Sequence, residues 1–392
     1  MNRRWRRAAF ALLGGIGLTS LVGCWGIAPI EKTGMVTLLG VDRAERGGYR
    51  VTASVDMPSA SSTSPGLGQV PGVLVRHAEA PDLAVAIQRL RTMSFLSLDF
   101  SHVEAVVLSE SVAREGAGAP LALLGSAPEM VTTPWLLVAR GMSAYDVLTG
   151  LKAVTPRPDE VLIDTAVENR QRTPYRPLHL YSFLRDAQSD TDEAVTAGLV
   201  VDAAQGTGRE AAPRLTGDAL FRRDALVGWL DGPPALGWLL VAGRVRQQTF
   251  AVPWPPGRVV FQIVRSQRSV RVVRQGGGPM ADIRVRVALR LLASEGAAPN
   301  WWRSPVELDR AREGAAEILV RDALDALRQA KRVGADVFGL GEYVRAQDAR
   351  DWPALAAHWS ERGFRRLPVA VSVRVTVDTL GEVVCPVVDG AC

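Results

Sequence analysis

Residues 283–291 sort their side chains by parity. Ile283, Val285, Val287, Leu289 and Leu291 fall on one side, and Arg284, Arg286 and Arg290 on the other. A helix would scatter both sets around its axis, so this pattern requires an extended strand with one dry face. From Pro305 the period changes to that of a helix, with a stripe of Leu308, Ala311, Ala315, Ile318/Leu319, Asp322/Ala323, Ala326/Leu327 and Ala330. Run to Arg332, that helix would be about 42 Å long. A second short helix is expected near 351–362, carrying Trp352, Leu355, Ala356 and Trp359, and residues 368–377 alternate again as a strand. A strand wet on one side beside a long amphipathic helix predicts a sheet with the helix packed across its dry face.

The rest of the chain mixes the two periods. Residues 35–42 and 49–57 are β-rich runs joined at Glu45-Arg46-Gly47-Gly48, a hairpin signal. Residues 58–72 are rich in Ser, Pro and Gly and read as an exposed loop. Strand 73–79 precedes a helix from Asp82 with Leu83, Ala86, Ile87 and Leu90 on one face. Strands at 103–108 and 135–140 follow, then a helix capped at Ser143 with Asp146 three residues on. The polar stretch 185–194 reads as a linker whose Asp190, Asp192 and Glu193 are solvated. Beyond it strands dominate: a hairpin turning at Arg223-Asp224, then strands at 245–252, 258–265 and 268–274, ended by Gly276-Gly277-Gly278, read as an inter-domain hinge. The expected architecture is α+β in three domains, each a mostly antiparallel or mixed sheet with packed helices. Their bounds are 24–188, 189–277 and 278–392, after an N-terminal segment 1–23.

That first segment is an export signal. Arg3, Arg4, Arg6 and Arg7 precede an apolar run over 8–22 that is too short and too glycine-broken for a comfortable membrane span. It leads into Leu21-Val22-Gly23-Cys24, which resembles a bacterial lipobox with Cys24 as the acylated residue. Cys385 and Cys392 remain, either disulfide-bonded to each other or free thiols. Charge narrows the partners. The chain has 46 Lys and Arg against 41 Asp and Glu, but without the four N-terminal arginines the count is 42 against 41. Nucleic acid is therefore not the expected partner, since phosphate binding needs concentrated positive charge. The arginines between 265 and 290 read first as the wet side of a strand, with a basic face for anionic lipid headgroups as the alternative.

Chemistry is hard to find. His77, His102, His179 and His358 are scattered, and no Cys/His cluster has zinc-ligand spacing. The nearest approach to a nucleophile elbow, Gly141-Met142-Ser143, continues Ala144-Tyr145. There is no Walker A lysine and no G-x-G-x-x-G. Trp229, Trp238, Trp301 and Trp302 read as core and edge packing. No enzymatic activity, cofactor or metal is expected.

Several segments, in order, are similar to the C-subunit lipoproteins of bacterial spore germinant receptors, the Ger(x)C family. They are Gly23-Cys24-Trp25, where Gly26 replaces the usual Asp; Leu39-Gly40-Val41-Asp42; Ser101-His102-Val103 leading to Val107-Leu108-Ser109-Glu110; Ala113-Arg114-Glu115-Gly116; and Val138-Ala139-Arg140-Gly141 before Ser143-Ala144. The most specific are Gly217-Asp218-Ala219-Leu220-Phe221 with Leu226-Val227-Gly228-Trp229-Leu230, and Asp336-Val337-Phe338-Gly339-Leu340-Gly341-Glu342 ahead of Trp352 and Trp359. The resemblance implies a non-catalytic lipoprotein on the outer face of the spore inner membrane, assembled with the membrane-embedded A and B subunits of a nutrient receptor. The loop at 58–72 and the two-cysteine tail lie outside it. A solute-binding lipoprotein of a transporter is the competing reading, and its two βαβ lobes would need more crossover helices than this chain offers. An exported hydrolase would need motifs that are not there.

Overall fold

The computed structural model describes residues 32–57, 72–130, 133–202, 212–296, 301–350 and 352–380. The expected signal segment, Cys24, most of the 58–72 stretch, Cys385 and Cys392 lie outside the described residues. In chain order the first sheet and its helices are β1 Thr33–Arg43, β2 Tyr49–Asp56, β3 Val73–Ala80, α1 Leu83–Met93, β4 Ser97–Asp99, β5 Ala105–Ser109, α2 Glu110–Glu115, α3 Gly118–Gly125, β6 Trp135–Ala139, α4 Ala144–Val154, α5 Pro158–Arg172, β7 Leu178–His179, α6 Leu180–Ala187, β8 Val195–Val201, β9 Pro213–Arg222 and β10 Ala225–Leu230. These ten strands form one sheet, in the order β10-β9-β8-β6-β5-β1-β2-β3 with β4 on β1 and β7 on β6. Its centre is parallel, β1 to β5 to β6 to β8, and hairpins flank it on both sides. One face carries α1, α2, α3 and α6; the other carries α4 and α5.

The second sheet follows α7 Pro233–Ala242 and consists of β11 Thr249–Trp254, β12 Gly257–Gln275, β13 Gly278–Glu295 and, after α8 Pro305–Val333, α9 Leu340–Gln347 and α10 Trp352–Ala356, β14 Val369–Leu380. The helix expected from Pro305 is α8, with Ser304 as its N-cap and Gly334 in left-handed conformation closing it. It buries Ala311, Ala315, Leu319, Ala323, Ala326, Leu327 and Ala330 against the sheet's inner face.

The expected divisions at 188 and 277 do not match the sheets. Residues 195–230 belong to the first sheet, because β8 pairs with β6 and β9 with β8. Residues 249–275 belong to the second. Gly276-Gly277 is the tight turn of the β12–β13 hairpin, where Gln275 pairs with Gly278 and both glycines have positive φ; that turn type requires such residues. The expected strands 258–265 and 268–274 are one strand, interrupted by a bulge near Val264. The sheets part instead at α7. Its segment PPALGWLLVA is apolar all round, so it has no helical stripe to read, and the fold buries it from Ala235 to Val241. Trp238 there donates to the Val337 carbonyl at 2.8 Å, and Gly237 lies so near the Asp322 carbonyl that a Cβ would overlap it.

Candidate functional site

The motif residues converge at two places. The first is the carboxyl end of the parallel strands β5 and β6. The motif Asp42, at the end of β1, accepts from the N–H groups of Ala144 (2.7 Å) and Tyr145 (2.9 Å) and so completes the start of α4, where Ser143 and Asp146 form the expected capping box. Burial outweighs those two hydrogen bonds and raises the Asp42 pKa. Glu110 opens α2 beside the Ser109 cap. It accepts from Trp229 Nε1 at 3.3 Å, from Arg114 at 2.5 Å and from the Gly141 N–H at 3.4 Å. Burial pushes its pKa up, but the hydrogen bonds from Arg114 and Trp229 prevail and hold it below the usual value. Arg140 lies over the Trp229 ring, 4.5 Å from its centroid, and grips Asp231 with both guanidinium nitrogens at 2.5 and 2.9 Å. Gly217, at φ +62°, passes close to Arg140 and Asp231, and its neighbour Asp218 is completely buried. Asp218 accepts from the Arg176 N–H at 2.8 Å, and burial raises its pKa well above normal.

The second convergence joins the two sheets. Asp336, fully buried, accepts from the N–H groups of Leu340 (3.1 Å) and Gly341 (2.7 Å) and from Trp359 Nε1 (2.9 Å). Burial lifts its pKa to about 6 against those three donors. Gly339 turns the chain at φ +66° into α9, and a Cβ on Gly341 would stand 2.7 Å from Trp359 Nε1. Glu193 accepts from Ser360 Oγ at 2.8 Å and from the Arg223 N–H, and its own N–H donates to the Asp336 carbonyl at 3.2 Å. Burial and the nearby Asp186 and Asp336 raise Asp192 to about 6. The expectation of a solvated linker holds for exposed Asp190 but fails for Asp192 and for Glu193, which is 5% exposed. The hint was the apolar run AVTAGLVV directly after Glu193: the chain is already entering the sheet. Asp231, outside every motif quoted, left no such signal.

The remaining candidates stand apart. His77 packs against Tyr145, His179 stacks on Trp135, and His102 meets Ser101 Oγ at 2.9 Å. Among the described residues no group of three His, Cys, Asp or Glu is placed to hold a metal. Trp238 and Trp301 are buried, whereas Trp229 and Trp302 are half-buried. The hairpin carrying Leu226-Val227-Gly228-Trp229 is the sheet edge, yet its side chains divide between two cores and Gly228 abuts Val333 of α8.

Two family profiles match in succession: the spore germination protein N-terminal domain over residues 27–200, and the spore germination B3/GerAC-like C-terminal domain over 216–381. The chain belongs to the Ger(x)C family of spore germination proteins. Spore germination protein KC of Bacillus subtilis (strain 168) is 18% identical over 392 residues, covering 96% of both chains. YfkR of the same strain, also named for spore germination, is 21% identical over 368 residues, covering 92% of this chain and 94% of its own. The crystal structure of the GerBC protein superposes with a TM-score of 0.56 at 17% identity, over 87% of this chain and 97% of that one, so the Ger(x)C fold is shared. In this member the junction of the two profiles, 200–216, falls between β8 and β9, inside the first sheet.

Proposed function

We propose that this chain is the non-catalytic, lipid-anchored C subunit of a nutrient germinant receptor, working with membrane-embedded A and B subunits. The anchor is Cys24, and the place is the outer face of the spore inner membrane. One observation carries the reading: the two family profiles follow each other over nearly the whole chain, in the order the motifs lead one to expect. The motif side chains support a binding role, because Asp42, Glu110, Arg140 and Asp336 are each engaged by neighbours within the fold rather than turned to a substrate. Two acyl chains on Cys24 would satisfy the requirement for stable anchoring.

Deleting the gene in its native spore-former tests the reading. Germination with the nutrients of its own receptor should be abolished or severely slowed, while agents that bypass receptors should still act. Deletion spores that answer every nutrient as the parent does, with no paralogue present, would overturn it and favour a solute-binding lipoprotein. Affinity purification from spore membranes should recover the A and B subunits. For the anchor, Cys24→Ala should leave the precursor uncleaved and without a diacylglyceryl group by mass spectrometry.

A further inference from the structure

We propose that the outer face of the second sheet is a docking plane for anionic phospholipid headgroups. Helices α7, α8 and α9 pack on the inner side of this sheet, and no described residue covers the outer side. Three adjacent strands present exposed arginines there: Arg265 and Arg271 on β12, Arg284, Arg286 and Arg290 on β13, and Arg374 on β14. The acids of this face are already engaged, Asp378 with Arg265 at 3.0 Å, Asp282 with Arg284 at 2.7 Å and, at one end, Glu295 with Arg258 at 2.9 Å. Arg271, Arg286, Arg290 and Arg374 make no ion pair with any described residue.

Arg286 and Arg374 are direct cross-strand partners in the parallel β13–β14 pair. Like charges set opposite each other disfavour a sheet, and an anion bound between the two would offset that repulsion. A depression of about 450 Å³ is bordered by Arg284, Arg286 and Arg374 with Ser269 and Ser372, donors suited to a phosphate. The face also lacks what a protein partner would use. Protein interfaces have apolar, charge-poor centres. Here the centre is charged, and the large exposed apolar side chains of these strands, Val273 and Leu292, stand towards its two ends. A broad, flat basic field without an apolar centre suits a plane of headgroups.

The proposal rests on the tethered-receptor reading for the presence of a membrane, but its test needs no germination assay. Residues 25–392, which keep both sheets and every described residue but carry no acyl chain, are mixed with vesicles of phosphatidylcholine alone or with about one-third phosphatidylglycerol, and sedimented. Binding is expected only to the anionic vesicles, and it should weaken steeply as salt is raised. Arg286→Gln/Arg374→Gln should lower the partition constant by about 30-fold. Arg332→Gln, on α8 behind the sheet, should leave it near the parent's value, and unchanged melting temperatures would show that both variants fold. Equal binding to neutral vesicles, or a double variant that binds like the parent, overturns the proposal. A double variant that binds vesicles normally but no longer co-purifies with receptor subunits also overturns it, in favour of an acidic protein surface.

Discussion

The two sheets use strands of opposite design. In β5 of the first sheet, Ala105, Val106, Val107, Leu108 and Ser109 are all buried, because α2 and α3 lie against one face and α4 against the other. In β13 of the second, Ile283, Val285 and Val287 are buried and Arg284, Arg286 and Arg290 are exposed. Helices on both faces erase the alternation; helices on one face preserve it. Their acids differ in the same way. Around the first sheet and the junction, Asp42, Asp218, Glu193 and Asp336 are buried on backbone and side-chain donors. On the second sheet's outer face, Asp282 and Asp378 make exposed ion pairs, which contribute little.

This contrast predicts a steep gradient of sensitivity. The largest effect is expected for Asp336→Ala, which leaves the N–H groups of Leu340 and Gly341 and the Trp359 indole without their acceptor, at a cost of about 4 kcal/mol. A denaturation midpoint close to the parent's would mean that the junction is not tightly built. Gly237→Ala comes next, at about 3 kcal/mol, because the added methyl meets the Asp322 backbone where α7 crosses α8. Trp229→Phe keeps an aromatic face but replaces the indole by a smaller ring, loses the hydrogen bond to Glu110 and weakens the Arg140 stack, and should cost about 1.5 kcal/mol.

The buried acids also set a pH dependence. Asp192 and Asp336, raised to about 6, hold protons in the folded chain that the unfolded chain has already released. Stability should therefore fall as pH rises from the unfolded carboxylate range towards about 6, and level off above it. Thermal melts should show a higher midpoint at pH 5 than at pH 7, by roughly 1 kcal/mol in stability for each of the two groups; the reverse order would contradict the enclosure of this cluster. At the far end of the gradient, Arg286→Gln should change stability by no more than about 0.5 kcal/mol, since the side chain is exposed, makes no ion pair with any described residue and stands beside a like charge. A large loss would mean that the outer face is not bare.

Legibility followed the same contrast. The half-wet strand β13, the helix α8 and the Ser143–Asp146 capping box were readable because each writes its surroundings into a local period or a fixed offset. The helix α7 was not, since burial on every side from Ala235 to Val241 leaves no stripe. The motif residues were visible as a set, but their work was not. Asp42 caps a helix about a hundred residues away in sequence, and Glu110 meets Trp229 from equally far.

By itself the sequence determined the α+β class, the parity of the second sheet, the long helix and the membership of the Ger(x)C family. These depend on short-range order: which residue types recur every second or every third and fourth position, and which motifs follow which. Only the tertiary structure decided where one sheet ends and the next begins, that residues 195–230 complete the first sheet, that Gly276-Gly277 is a hairpin turn, and that Glu193 is buried and Asp192 half-buried. Strand pairing and burial are set by partners far along the chain. A polar stretch such as 185–194 has the same composition whether water or a second sheet lies over it.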